Sequence, residues 1–314
     1  ATSIGGFTKP VALKCIKSEL GKQAEFISLF IEEAKLAVSF SHGNIVQVFD
    51  FGCVDEDYFL AMELVEGKDL YHIRKRLQAL AKPLPLPVAL YTLIQGLRGL
   101  HYVHTRRDRT GLPLNIVHQD VTPHNLMLSY DGEVKLLDFG VAKARHKLAC
   151  HPAGTILGKL AYMSPEQARC DSVDTRSDIY TAALTLYEAI TNRFLFRHTD
   201  RLQTLAEVRE PKLDPPSYLN PTIPEALDAA IMQALAPDRE HRYTSARLFA
   251  NDLTHILDQV APGFDDTHLA RFLMELYGDE VGRSRFTMAA ESSLVLADAV
   301  RSEEHTSELQ SLLI

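Results

Sequence analysis

The chain has 314 residues, 46% hydrophobic and 24% charged, with a formal net charge of −8. That length suits one two-lobed domain or two small ones, and the hydrophobic share can fill a sizeable core. The acidic balance excludes a nucleic-acid surface spread over the molecule, and the basic runs RKR (74–76) and RRDR (106–109) read as solvated helix ends or loops.

In chain order, ATSIGGF opens without an initiator Met and reads as an entry into the middle of a longer protein. GGF is a turn into VALKCI (11–16), a β-like run. Residues 23–40 repeat apolar side chains at Phe26, Leu29, Phe30, Ala34, Ala37 and Val38, the spacing of an amphipathic helix. IVQVFDFGCV (45–54) and DYFLAMELVE (57–66) predict two strands joined by an acidic turn. Gly67 breaks that pattern, and helices are predicted over 69–80 and 87–105, parted by the joint KPLPLP (82–87). The Asp-Gly pair in SYDGEV (129–134) predicts a hairpin between LML and KLLDF. Helices then dominate, at 178–191, about 200–208, 224–235, 244–258 and 266–277. The order is a strand-rich lobe followed by a helix-rich one, an α+β arrangement. No apolar run approaches the roughly 18 residues of a membrane span, so membrane contact is expected only outside this stretch. The cysteines at 15, 53, 150 and 170 lack C-x-x-C spacing and fit a reducing, cytoplasmic setting better than a disulfide scaffold.

Polar chemistry concentrates in HQDVTPHN (118–125) and LLDFG (136–140). A carboxylate such as Asp120 can accept a proton from an attacking hydroxyl. An amide oxygen and a second carboxylate, Asn125 and Asp138, can hold Mg²⁺, a hard cation that prefers oxygen and often bridges substrate phosphates. The predicted hairpin pins Asn125 and Asp138 at its two ends, so both can converge on one ion. Taken singly, Asp138 is a turn residue, Asn125 a hairpin cap, Lys14 a strand lysine reaching solvent and Glu33 a helix-surface residue. His101 and His104, at i, i+3 on a helix, read as packing rather than metal ligands, because no third ligand is in view; Cys150 and His151 are read the same way.

HQDVTPHN (118–125), DFG (138–140) and SPE (164–166), in that order, resemble the signature set of the protein kinases. VALK (11–14) resembles the family's strand lysine, SDIY (177–180) its buried helix aspartate at Asp178, and Arg242 the arginine that bridges to Glu166. The resemblance covers roughly residues 1–258 and is of the bacterial, eukaryotic-like serine/threonine type. It implies a two-lobed kinase fold with a truncated strand-rich N-lobe and a helical C-lobe. It implies Asp120 as catalytic base, Asn125 and Asp138 on Mg²⁺, and Lys14 on the ATP phosphates with Glu33 holding it. Glu63, Leu64 and Val65 would form the hinge to adenine, behind the gatekeeper Met62. Asp69 would reach the ribose, and Ala12 and Met127 would sandwich the adenine. His118, Phe139 and Ala37 would join an apolar spine between the lobes. By composition alone Ala12, Ala37, Met62 and Met127 are core residues.

The same comparison sets the expected boundaries: 1–65 a partial N-lobe, 66–260 the C-lobe, 261–300 a helical tail or linker, and 301–314 non-native. RSEEHTSELQS (301–311) resembles a translated sequencing adapter. No G-x-G-x-x-G precedes Lys14. The phosphate loop and its two strands are therefore expected to be missing, with an exposed sheet edge beside 11–16 and weak ATP binding. Gln119 and Thr122 stand where the family commonly has arginine and lysine. Activity should then depend little on loop phosphorylation, for which Thr155 is the expected site; Lys159 stands where many kinases have threonine. Loss of the lysine removes charge stabilisation of the transferring phosphoryl group. The expected function is a protein serine/threonine kinase acting with ATP and Mg²⁺ on a protein substrate, with no nucleic-acid partner. The alternatives are a pseudokinase scaffold and a small-molecule phosphotransferase. The long segment from Asp138 to Glu166, where a peptide would dock, argues against the last.

Overall fold

The computed structural model describes residues 2–4, 7–15, 24–54, 57–138, 160–196 and 200–280. The upper lobe is built on an antiparallel sheet of β3 (Val11–Cys15), β4 (Val48–Val54) and β5 (Asp57–Glu63), in the order β3-β5-β4. Register places Ala12 opposite Met62 and Lys14 opposite Leu60. Helix α1 (Ala24–Val38) packs on this sheet through Phe30, Ala34 and Ala37, which meet Val48 and Leu60 in a small core. Those helix positions recur at i, i+4 and i+7, one face of an α-helix.

β3 lies at the sheet edge, as expected, and Leu13 on it is 61% exposed. The front of the chain differs from the expectation of a bare turn. Two short strands, β1 (Thr2–Ile4) and β2 (Phe7–Lys9), pair with each other as a separate ribbon. Pro10 follows it directly; it has no N–H to give a ladder, so the ribbon ends before β3 begins.

The lower lobe contains α2 (Leu70–Ala79), α3 (Leu86–His104), α4 (Pro165–Arg169), α5 (Thr175–Thr191), α6 (Arg201–Arg209), α7 (Glu225–Ala234) and α8 (Ala246–Val260). A further helix, α9, runs over 266–280. α3 and α5 are buried along most of their lengths and centre the main core, which is why their sequences are apolar or small on nearly every face.

The expected hairpin forms as β7 (Leu126–Ser129) and β8 (Val134–Leu136). A third strand that periodicity did not predict, β6 (Gly67–Asp69), pairs with β7. It has only three residues, two of them charged, so it carries no apolar alternation to read. Gly67, read as a breaker, is needed inside the strand: a Cβ there would run into the Leu128 carbonyl.

The lobes meet at the segment between α1 and β4. Ile45 bridges to Leu136 of β8, Leu136 N–H donates to Asn44 O at 2.9 Å, and Val46 N–H donates to Leu136 O at 3.1 Å. Asn44 Nδ2 donates to Gln95 Oε1 of α3 at 3.2 Å and to Val134 O at 3.1 Å. The upper lobe is thereby hydrogen-bonded to the strand that leads into Asp138. Among the described residues no helix is long and apolar enough to cross a membrane. Cys15 and Cys53 are free and exposed, whereas Cys170 is disulfide-bonded, which the cysteine spacing did not suggest.

Candidate active site

The loop that carries Asp120 is shaped by one buried acid. Asp178, on the first turn of α5, is 0% exposed. Its Oδ2 accepts the His118 N–H at 2.7 Å and its Oδ1 the Gln119 N–H at 2.7 Å. The His104 Nε2 also lies 2.7 Å from Oδ2. Two successive N–H groups can aim at one carboxylate because Gln119 takes a left-handed φ of 61°, a conformation a non-glycine residue keeps only when its surroundings enforce it. His104 thus serves a structural bond, consistent with its reading as a packing residue. His118 Nε2–H donates to Leu137 O at 3.0 Å, while its Nδ1 accepts the Asp120 N–H at 3.2 Å. The imidazole is neutral in that pattern and ties the loop to the residue before Asp138.

Asn125 ends a 3-10 turn, Pro123–Asn125, and is 8% exposed. Its Nδ2 donates to the Asp120 carbonyl at 2.7 Å, so the amide nitrogen is committed and the amide oxygen is turned away from that bond. Leu137 N–H donates to Asn125 O at 2.8 Å, which fixes the two ends of the hairpin beside each other. Asp138 follows with φ of 51°, a left-handed conformation that Asp tolerates better than most residues.

The donor set fits a hard divalent ion: one amide oxygen and one carboxylate, short of a full shell. Among the described residues no group of three or more His, Cys, Asp or Glu could hold a metal by itself.

Lys14 reaches this ribbon from the upper lobe, its Nζ lying 2.8 Å from Asp138 Oδ1, with both side chains 32% exposed. The implied partner Glu33 lies on α1, and its side chain is outside the described residues. Phe139, Thr155, Lys159, Cys150 and His151 also lie outside them.

The nucleotide side is divided between the sheets. Ala12 and Met62 are cross-strand partners in the upper sheet, and Asp69 and Met127 are cross-strand partners in the lower. Glu63 donates its N–H to Gln47 O at 2.8 Å, and Lys135 of β8 holds its side chain at 2.8 Å. Val65, two residues on, has no backbone hydrogen bond among the described residues, so both its amide groups can face a ligand. Asp69 caps α2: its Oδ1 accepts the His72 N–H at 2.7 Å and lies 2.7 Å from His72 Nδ1. His124 stands 3.7 Å from the other oxygen.

Glu166 and Arg242 form a buried bidentate pair, with Nη1–Oε1 2.7 Å and Nη2–Oε2 2.9 Å. Ser177 Oγ donates to Glu166, and the guanidinium lies 4.7 Å over the Tyr180 ring. Burial alone would raise the Glu166 carboxyl, but the bonds and charge of Arg242 outweigh it and hold it below its ordinary value. The sequence pairing of these residues is therefore realised. The pair anchors α4, whose start carries a reciprocal Ser164–Gln167 capping box.

A model of the protein kinase domain matches residues 6–254. The tyrosine-protein kinase MasK of Myxococcus xanthus is 38% identical over 282 residues, covering 90% of this chain and 43% of that protein. The serine/threonine-protein kinase PrkC of Bacillus subtilis is 31% identical over 250 residues, covering 80% of this chain and 37% of that one. The chain therefore spans less than half the length of either. Among solved structures, the PknI kinase domain of Mycobacterium tuberculosis aligns with a TM-score of 0.60 at 26% identity, over 81% of this chain and 88% of that one. That is the same mixed fold of a strand-rich and a helical lobe.

Proposed function

Because the chain belongs to the protein kinase family, we propose that it moves the γ-phosphoryl group of ATP to serine or threonine hydroxyls of proteins. The observation that carries this is the ribbon on which Asp120, Asn125 and Asp138 are tied together, with Lys14 2.8 Å from Asp138. Asn125 and Asp138 would hold Mg²⁺, which when bound neutralises phosphate charge and orients the transferring group. Lys14 is placed to move from Asp138 to the nucleotide phosphates. Asp120 takes the hydroxyl proton, on a loop that the Asp178 carboxylate keeps from relaxing. Ala12, Met62 and Met127 frame the adenine, Glu63 and Val65 offer backbone groups to its edge, and Asp69 faces the ribose. Glu33 would steady Lys14.

Serine/threonine acceptors are supported by the name of PrkC, a serine/threonine-protein kinase. Tyrosine is the second reading, favoured by the name of the 38% identical relative. Transfer of labelled phosphate, followed by identification of the labelled amino acid, separates the two. Asp120→Asn should abolish transfer and Lys14→Met should lower it by at least a hundredfold. Label retained in Asp120→Asn would sink the assignment. No transfer from the unaltered protein, with nucleotide still bound, would make the domain a pseudokinase scaffold.

The remaining proposals concern the chain's extent and ATP affinity. The upper lobe spans 1–65 and the lower lobe 66–260; the tail expected over 261–300 is in part a helix, α9, that packs into the lower core, and 301–314 derives from an adapter. ATP affinity of this chain is weaker than micromolar. Isothermal titration with Mg·ATP tests that affinity, and DNA reads across the last residues test the adapter reading.

A further inference from the structure

Helix α9 lies beyond the span that matches the kinase family, which ends at residue 254. It is nonetheless part of the lower core, with Leu269 and Leu273 0% and Tyr277 4% exposed. Its start is fixed by Asp265, which accepts from Thr267 Oγ1 at 2.6 Å and from the His268 N–H at 3.2 Å. It then presses on the β7–β8 turn: a Cβ on Gly132 would collide with the Asp266 carbonyl. Only glycine, here at φ 91°, fits both that turn and that approach.

The far end of α9 grips the strand and helix that flank Asp69. Glu280 pairs with Lys68 of β6 at 3.2 Å and with Arg76 of α2 at 3.2 Å. Both cations also lie over the Tyr277 ring, at 5.5 and 5.3 Å. The Tyr277 hydroxyl donates to the His72 carbonyl at 3.2 Å. His72, through its own N–H and imidazole, holds the Asp69 carboxylate. Burial, with Glu280 adding to it against Arg76, pushes the Tyr277 hydroxyl up to about 12, so it stays a donor at neutral pH.

We propose that Tyr277 and Glu280 are positioning residues for nucleotide, setting the first turn of α2 so that Asp69 meets the ribose. The contact path is Tyr277 to the His72 backbone to Asp69, with Glu280 clamping Lys68 and Arg76 on either side. This rests on the proposed nucleotide site and adds to it a part of the chain that the family match does not reach.

The test uses the whole chain and the variants Tyr277→Phe, Glu280→Gln and both together. Met274→Ala, on the exposed side of α9 at 43% exposure, is the control. Hydrogen exchange across 67–73 should rise about tenfold in the double variant while α3 stays protected and circular dichroism is unchanged. Affinity for ATP should fall roughly five- to tenfold, as loss of one or two hydrogen bonds implies. Preference for ATP over 2′,3′-dideoxy-ATP should shrink towards one, while Met274→Ala changes neither. Unchanged exchange at 67–73 overturns the brace. Loosened exchange with ribose preference intact overturns its role towards nucleotide. If the unaltered chain itself shows no ribose preference, the site reading fails, and with it the role assigned to Asp69, while the exchange arm still reports on the brace.

Discussion

The two lobes hold their functional side chains in different ways. In the lower lobe, Asp120 and Asn125 sit on a loop fixed by buried groups: the Asp178 carboxylate accepts successive backbone N–H groups, and the Glu166–Arg242 pair locks the segment below. In the upper lobe, Lys14 stands on an edge strand of a three-stranded sheet, over a small core whose buried members among the described residues are Phe30, Ala34, Ala37, Val48 and Leu60. Its described ion pair is with Asp138 of the other lobe. The lower lobe thus preorganises chemistry by its own packing, while the upper lobe supplies a cation that reaches across to the other lobe.

The comparison can be broken most severely at Glu166. Glu166→Ala leaves Arg242, 2% exposed, as an uncompensated buried charge and should cost about 3–5 kcal/mol in urea unfolding. The sign of the pH effect follows from the lowered Glu166 carboxyl. Its contribution is complete above the unfolded value of about 4.3 and is lost as pH falls through the lower folded value. Glu166→Gln should therefore be less sensitive to acid than the parent over that window.

Next comes Leu60→Ala, which empties part of the small upper core and should cost about 2–4 kcal/mol. If the lobes differ as argued, hydrogen exchange should rise in β3, β4 and β5 and not in α5. Equal loosening of both lobes would contradict the comparison. Asp178→Asn keeps the shape but removes the acceptor charge; about 1–3 kcal/mol of stability should go, with phosphate transfer falling further than stability does. The smallest effect is expected for Leu13→Ser on the exposed edge, within about 0.5 kcal/mol by thermal unfolding.

Much of this was legible in the chain because its signals are local. The Asp-Gly turn fixes the hairpin and hence the neighbourhood of Asn125 and Asp138. The apolar repeats of α1, α3 and α8 give those helices. β6 escaped because three polar-leaning residues have no period, and its existence depends on β7 lying alongside. The role of Val65 follows from a resemblance and from unclaimed backbone groups, neither of which periodicity can supply. The partners of Lys14, Glu63 and Tyr277 are 124, 72 and 205 positions away. No local rule connects residues at such separations.

The sequence by itself determined the α+β class, the longer helices, the hairpin and the residue types gathered at positions 118–125 and 138, since turn chemistry and hydrophobic period act over a few neighbours. Tertiary structure alone decided that His104 and the loop amides share Asp178, that Lys14 rests on Asp138, and that α9 closes on α2. Those contacts depend on buried polar groups finding partners wherever the packed chain brings them, and burial is a property of the whole fold.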